Sequence, residues 1–150
     1  MPGTYSQLLL HIVFSTKRRE PWITLDVAER LYAYIGGIIR SQKGTLYEIG
    51  GVEDHIHLYL RWRTDAAVSD LMRTVKARSS LWVHQTFTPL ASFAWQEGYA
   101  AFSVSKSQES VVKRYIVGQR EHHEKEDFRS ELLRLLAAHR VEFDERYVFD

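Results

Sequence analysis

Two histidines, His55 and His57, stand two positions apart in the segment DHIHLYLRW, residues 54–62. Polar and apolar residues alternate in this segment, which predicts a β-strand whose successive side chains leave from opposite faces. The histidines therefore share one face, while Ile56 and Leu58 belong to an apolar face that packs in a core. Two imidazoles on one strand face can bind a divalent metal ion but leave several coordination positions open. The alternative is that each histidine is a hydrogen-bonded structural residue.

A second polar set, Tyr115, Gln119 and His122, lies in the segment SVVKRYIVGQREHH, residues 110–123. On a helix that turns about 100° per residue, these three side chains lie within about 60° of one another. Such a helix face can supply a further ligand to the histidine pair. The alternative is a buried amphipathic face whose polar members are satisfied locally.

The elements that must position these side chains follow a β-α-β-β-α-β order. The hydrophobic patterns predict a strand at 6–15, a helix from Thr24 to about Arg40, two strands within 44–62 joined at Gly50–Gly51 or at Glu53–Asp54, a helix at 65–83, a strand at 99–104, and helices at about 107–124 and 128–139. This order predicts an α+β, ferredoxin-like split βαβ sandwich: an antiparallel sheet with helices on one face and an added C-terminal helix that bears the tyrosine. No repeat or linker interrupts the pattern, so we expect a single domain over residues 1–150.

The composition limits the chemistry and the partners. The chain has no cysteine, which excludes disulfides, thiolate metal sites and cysteine nucleophiles. Its net charge is only +1, but residues 1–120 carry 15 Lys/Arg against 10 Asp/Glu, and residues 121–150 carry 5 against 9. This asymmetry is compatible with a polyanion-binding face and an acidic terminal helix. No secretory leader and no long apolar stretch occur, which predicts a cytoplasmic protein without a membrane partner.

Both histidine-bearing segments resemble known motifs. DHIHLYL resembles the HUH motif (histidine, hydrophobic, histidine) of a superfamily of single-strand DNA endonucleases, and YIVGQREHH resembles the tyrosine helix of its small insertion-sequence tyrosine transposases. These are the IS200-like transposases, which include the repeat-associated tyrosine transposases. The similarity spans nearly the whole chain and includes the segments FSTKRREPW, LMRTVKARSSLW and WQEGYAAFSVS. The histidine pair alone is a weak pattern, but its combination with Tyr-x-x-x-Gln-x-x-His on a late helix is specific.

The resemblance implies a role for each matching residue. It implies that His55 and His57 bind a divalent metal ion, Mg²⁺ or Mn²⁺, with Gln119 as the third protein ligand. Tyr115 is implied as the nucleophile, which forms a 5′-phosphotyrosine and releases a 3′-hydroxyl. Asp54 is expected to orient one of the histidines as a hydrogen-bond acceptor.

The resemblance also implies partners. The expected substrate is single-stranded DNA, with hairpin-forming element ends, and the expected assembly is a homodimer whose tyrosine helix reaches the histidines of the neighbouring subunit. His122 and His123 match the appearance of the family, but no role follows for them. The candidate contacts to the DNA backbone are the cations Lys17, Arg18, Arg19, Arg61, Arg63, Arg73, Lys76 and Arg78. About half of such charges are expected to be ordinary solvated surface residues.

The function predicted from these motifs is DNA transposition. The enzyme would be a metal-dependent transposase that cleaves and rejoins single-stranded DNA through a phosphotyrosine intermediate, a form of DNA recombination. Within the same superfamily, the alternative is a domesticated relative that processes repeated palindromes in its own genome. The alternatives from other classes are a non-catalytic single-strand nucleic-acid-binding protein and a metal-dependent hydrolase that uses water. The joint presence of His55, His57, Tyr115 and Gln119 favours the transposase.

Overall fold

A computed structural model describes residues 3–149 and has a four-stranded sheet at its centre. The strands are β1 (Leu8–Ser15), β2 (Thr45–Val52), β3 (His55–Trp62) and β4 (Ala100–Ser103), and the helices are α1 (Leu25–Ser41), α2 (Val68–Thr86), α3 (Glu109–Val117), α4 (Gln119–His122) and α5 (Phe128–Ala138). The strand order is β2-β3-β1-β4, and every neighbouring pair is antiparallel. Strands β1 and β2 are thus parallel with β3 between them, and the predicted ferredoxin-like split βαβ fold is confirmed.

Helices α1 and α2 cover one face of the sheet. The predicted apolar face of β3 lies there, with Ile56 and Leu58 packed against Leu31 and Ile35 of α1 and Val75 of α2. All five side chains have 0% exposure. Burying an aliphatic side chain of this size contributes about 1.5–3 kcal/mol. This layer is therefore the main core, and it fixes which face of β3 is left for the histidines.

Helices α3 and α5 cover the opposite face, which carries the histidines. Phe128 and Leu136 of α5 pack against Phe102 of β4 in a second apolar cluster. Helix α5 begins after Asp127, whose side chain accepts a hydrogen bond from the backbone N–H of Ser130 at 2.8 Å, a capping contact that satisfies one of the free donors of the first turn. The added C-terminal helices therefore close over the functional face of the sheet.

The turn between β2 and β3 is at Glu53–Asp54, one of the two joints that the sequence left open. Gly50 and Gly51 instead lie inside β2. A Cβ atom on Gly50 would lie 2.6 Å from the carbonyl oxygen of Ile116 in α3. Because glycine has no side chain, α3 can lie directly on β2 at this point.

The tyrosine-bearing segment differs from the single helix predicted over about 107–124. It forms α3 and α4, which are separated at Gly118 with φ −84° and ψ 12°. An ordinary α-helix has ψ near about −42°, and glycine disfavours the helix by about 1 kcal/mol relative to alanine. The break lies between Tyr115 and Gln119, so their relative position depends on this glycine. Within residues 3–149, the helices are all too short or too polar to cross a membrane.

Candidate active site

The two histidines of β3 are buried and point toward α5. His55 and His57 have 0% exposure, and the Nε2 atom of each lies 3.1 Å from Oε1 of Glu131. The other ring nitrogen of each histidine, Nδ1, also has a partner. Nδ1 of His55 lies 2.7 Å from a carboxylate oxygen of Asp54, and Nδ1 of His57 lies 2.8 Å from Nε2 of His11. Histidine ligands in metal sites are commonly oriented by such contacts on the nitrogen that does not face the metal.

Gln119 joins this cluster from the start of α4. Its side chain is 1% exposed, and its Oε1 atom lies 3.0 Å from Nε2 of His55. Its amide nitrogen donates to Oε2 of Glu131 at 3.0 Å. The structure thus brings the three predicted ligands, His55, His57 and Gln119, to one point.

Tyr115 lies beside the same cluster. Its ring makes an edge contact with the ring of His57, with 5.6 Å between centroids. Its hydroxyl donates to Oε2 of Glu131 and accepts from Nη2 of Arg134 at 2.9 Å. These contacts all lie within one chain, so a single subunit brings the tyrosine to its own histidines. The homodimer with shared sites stays a prediction.

Glu131 occupies the centre of the site, and the sequence reasoning missed it. Its side chain has 0% exposure, and its Oε1 atom also lies 2.9 Å from Nε2 of His123. The pattern of α5 contains the signal that could have found it. Glu131 follows Phe128 by three positions and precedes Leu135 by four, which places a carboxylate on the buried stripe of an amphipathic helix. Acidic residues are almost never fully buried without a partner.

The pKa values follow from burial and from this carboxylate. Burial lowers the pKa of His57 to about 4. Burial also acts to lower the pKa of His55, but hydrogen bonds with Asp54 and Glu131 outweigh it and raise the pKa to about 9. Burial alone would raise the pKa of Glu131, but hydrogen bonds from the surrounding imidazoles hold it well below its usual value. Burial and the hydrogen bond to Glu131 raise the pKa of Tyr115.

The residues fit a divalent cation. His55, His57 and Glu131 form a buried group with the geometry to hold a metal ion. The spacing of 3.1 Å between donor atoms agrees with the value of about 3.0 Å between adjacent corners of an octahedron with metal–ligand bonds of about 2.1 Å. Imidazole nitrogen, amide oxygen and carboxylate oxygen are all ligands of divalent metals.

His122, for which no role follows from the sequence, lies near the tyrosine. Its ring centroid is 5.4 Å from that of Tyr115, and its Nε2 atom is 3.5 Å from both Nη2 of Arg134 and Oε2 of Glu131. With His123 and Glu131 it forms a second group that could hold a metal ion.

Three of the candidate DNA contacts lie on α2, away from the histidines. Arg73, Lys76 and Arg78 belong to the helix that packs on the opposite face of the sheet. Lys76 donates to the backbone carbonyls of residues 96–98, and Arg73 pairs with Asp70 at 3.0 Å. The geometry of Lys76 is that of an anchor for the loop before β4.

The remaining candidate cations are divided between the two ends of the sheet. Lys17, Arg18 and Arg19 form an exposed turn directly after β1. Ser15, at the end of β1, pairs with His55, so this turn lies at the histidine end of β3. The exposed Arg61 lies on the histidine face, but at the other end of β3. Arg63, beyond that end of the strand, pairs with Asp65 at 2.5 Å.

Comparisons with known proteins identify the family to which this chain belongs. The profile of the family "Transposase IS200 like" matches residues 4–119. The ISDra2 transposase TnpA of Deinococcus radiodurans is 23% identical over 129 residues, which cover 83% of this chain and 90% of that protein. The match to the profile includes the histidine pair, Tyr115 and Gln119, and it ends before Glu131.

Two solved structures have the same fold. A crystal structure from Deinococcus radiodurans R1, assigned as a transposase, superposes with a TM-score of 0.67 at 22% identity over 79% of this chain and 95% of that chain. A REP-associated tyrosine transposase bound to a REP hairpin superposes with a TM-score of 0.61 at 14% identity over 82% of this chain and 73% of that chain. The family resemblance read from the sequence is confirmed, and this chain belongs to the IS200-like transposase family.

Proposed function

We propose that this transposase cuts and rejoins single-stranded DNA through a covalent 5′-phosphotyrosine on Tyr115, with a divalent metal ion held by His55, His57 and Gln119. The observation that carries the proposal is the position of the phenol. The Tyr115 ring lies 5.6 Å from the ring of His57, and Tyr115 and Gln119 both donate to the same carboxylate oxygen of Glu131. Nucleophile and ligands therefore share one buried cluster.

The reaction is a transesterification at phosphorus. The Tyr115 oxygen forms a bond to the scissile phosphorus, the bond from phosphorus to the 3′-oxygen breaks, and the released 3′-oxygen takes up a proton. The phosphotyrosine ester keeps the energy of the broken bond, so a 3′-hydroxyl can attack it and rejoin the strand without ATP. Because the ester keeps this energy, the strand can be rejoined, which distinguishes a strand transferase from a hydrolytic nuclease.

The phenol needs help to react near neutral pH. A tyrosine with a pKa of about 10 is ionised in only about one molecule in a thousand at pH 7, and the pKa of Tyr115 is raised further by burial and by Glu131. Glu131 accepts the hydrogen bond of the phenol and so positions its oxygen, although the low pKa of this carboxylate makes it a weak base. The proton that the phenol loses is balanced by the proton that the 3′-oxygen takes up. Arg134 donates to the phenolic oxygen and stabilises negative charge that develops there.

The metal ligands act on the scissile phosphate, which is the group that Tyr115 attacks. A divalent cation such as Mg²⁺ or Mn²⁺, when bound there, would supply Lewis-acid activation of the scissile phosphate. Asp54 holds Nδ1 of His55 at 2.7 Å, and His11 holds Nδ1 of His57 at 2.8 Å. Both Nε2 atoms therefore keep their direction when substrate arrives.

The DNA partner is proposed from a relative that is bound to a REP hairpin and from the exposed cations beside the site. The related REP-associated transposase is bound to a hairpin, and we extend this to hairpin-forming single strands for the present chain. The exposed turn Lys17–Arg19 lies at the histidine end of the sheet and is proposed to contact the phosphates, since cations next to the site bind a polyanion directly. A homodimer with shared sites is proposed on the family resemblance alone, and it requires α3 to exchange its position beside its own histidines for the same position in the neighbouring subunit.

The likeness to a REP-associated protein also supports a second candidate function within the family. In that case the chain processes repeated palindromes of its own genome instead of the ends of an element. The two candidates share the chemistry and differ in the DNA cut, so a comparison of cleavage on element-end hairpins and on dispersed palindromes separates them.

The test of the proposed reaction is adduct formation. Wild-type chain, a labelled single-stranded hairpin and Mn²⁺ or Mg²⁺ are expected to give a protein–DNA species that survives denaturing electrophoresis. Tyr115→Phe is expected to abolish it while DNA binding is retained, and Tyr47→Phe, a partly buried tyrosine of β2, serves as the matched control. An undiminished adduct in Tyr115→Phe would rule out this nucleophile.

The metal assignment has its own arm in the same assay. His57→Ala and treatment of the wild type with EDTA are each expected to remove cleavage. Equal cleavage with and without EDTA would refute a metal-dependent reaction.

A further inference from the structure

The site also contains donor atoms of residues that lie outside the range matched by the family profile. Oε1 of Glu131 lies 3.1 Å from Nε2 of His55 and of His57 and 2.9 Å from Nε2 of His123. We propose that Glu131 is a metal ligand, and that with His55, His57 and Gln119 it forms a four-donor site that binds a transition-metal ion before DNA arrives. This inference rests on the proposed function, because the ion concerned is the one at the histidine pair.

The two oxygens of Glu131 have separate partners. Oε1 faces the three imidazoles, while Oε2 accepts hydrogen bonds from Tyr115 and Gln119. Coordination through Oε1 therefore leaves the contact to the tyrosine in place. The ring of His123 packs edge-on against that of His55 at 4.4 Å between centroids, which fixes its Nε2 atom on the same side of the cluster.

Charge also favours the larger donor set. Two imidazoles and an amide oxygen are neutral, and such a set holds a divalent ion weakly until a phosphate joins it. Glu131 adds a negative charge with 0% exposure, and a charge buried to this degree needs a compensating positive charge close by. A divalent ion at the Nε2 atoms supplies that compensation. The complete set is therefore expected to bind its ion in the absence of DNA.

The type of donor favours a particular class of ion. Mg²⁺ prefers oxygen ligands and retains several waters, whereas imidazole ligands suit Fe²⁺, Ni²⁺, Cu²⁺ and Zn²⁺, and Co²⁺ lies between Fe²⁺ and Ni²⁺ in the usual order of affinity. A site with imidazoles from His55 and His57 is thus expected to take a transition-metal ion in preference to Mg²⁺.

The location of Glu131 gives this ion a second effect. Glu131 belongs to α5, which packs over the histidine face. His55 and His57 have 0% exposure and Gln119 has 1%, so α5 covers the face of the sheet on which the ion binds. An ion bound through Glu131 ties α5 to β3, and four protein donors leave two positions of an octahedral ion open for a phosphate.

The experiment is a Co²⁺ titration of the full chain without DNA. Binding is measured through the visible absorption of the bound ion. The wild type is expected to bind one equivalent, and a large excess of Mg²⁺ is expected not to displace it. Loss of a residue that only orients a ligand weakens a metal site by about 10–100-fold. Glu131→Gln removes a ligand and is therefore expected to weaken Co²⁺ binding by about 100-fold or more. His123→Gln removes a residue that holds Glu131 in place and is expected to weaken binding by about tenfold or more. Glu124→Gln, an exposed carboxylate between them, is expected to bind like the wild type.

Two results would overturn the inference: no Co²⁺ binding by the wild type without DNA, or unchanged affinity in both Glu131→Gln and His123→Gln. Circular dichroism shows whether each variant is folded, and if Glu131→Gln is not, His123→Gln decides. The titration contains no DNA, so its outcome is independent of the adduct assay. If the variants bind Co²⁺ with unchanged affinity and the wild type forms the Tyr115 adduct, only the inference about the metal ligands is refuted. If Co²⁺ binding depends on Glu131 but no adduct forms, only the proposed reaction is refuted.

Discussion

Replacing Gly50 with alanine is expected to displace the tyrosine-bearing helix. Gly50 lies in β2 opposite His57, and the methyl group of an alanine there would lie 2.6 Å from the carbonyl oxygen of Ile116. That oxygen belongs to the backbone of α3, one residue after Tyr115, and it cannot rotate away as the end of a flexible side chain can.

The size of the effect follows from this distance. Close carbon–oxygen contacts lie at about 3.3 Å, so the methyl group and the carbonyl must separate by about 0.7 Å. A misplacement of about 1 Å at a reacting group can reduce the rate about 100-fold. We therefore expect Gly50→Ala to slow formation of the Tyr115–DNA adduct by about tenfold or more, and the crowding to lower the free energy of unfolding by about 1–3 kcal/mol.

The assay compares single-turnover adduct formation with urea denaturation, at a temperature where both proteins are folded. Gly37→Ala is the matched control, because a Cβ atom at this position in α1 has nothing within 4 Å. It should react at the wild-type rate and be more stable by up to about 1 kcal/mol. A folded Gly50→Ala variant that forms the adduct at the wild-type rate would refute the claim that this contact positions the tyrosine.

Three further predictions concern the site and its cover. Arg134→Met removes the donor 2.9 Å from the Tyr115 hydroxyl, so adduct formation should slow by about tenfold or more while DNA binding in a mobility-shift assay is kept; an unchanged rate would exclude a role for this guanidinium. His11→Ala removes the group 2.8 Å from Nδ1 of His57 and should weaken Co²⁺ binding by about 10–100-fold, whereas equal affinity would show that His57 needs no such support. Leu132→Ala empties part of the α5 cluster and should cost about 2–5 kcal/mol in urea denaturation; an unchanged midpoint would contradict the packing of α5 on the sheet.

The sequence predicts the parts of this structure that local patterns determine. Alternation in β3 separates His55 and His57 from the apolar side chains on the other face, because strand side chains leave on alternate faces. The element order then predicts the sheet, and the spacing from Tyr115 to Gln119 predicts that both face the same partner. Their convergence on Glu131 agrees with this expectation.

The missed features depend on tertiary contacts that local patterns do not contain. Glu131 is a single acid in an amphipathic helix, and its importance follows only from the packing of α5 over the histidine face. The contacts of Lys76 with the backbone carbonyls of residues 96–98 do not follow from the sequence either, and its role as a DNA contact stays a prediction. The helical period alone predicts a continuous helix across Gly118, whereas the structure has a break there.

The most direct test of the central claim is to locate the DNA on the protein. After reaction with a single-stranded hairpin and metal, nuclease and protease digestion followed by mass spectrometry should identify a nucleotide joined through a 5′-phosphate to Tyr115. A nucleotide on another residue, or cleaved DNA with no nucleotide on the protein, would contradict the proposed mechanism.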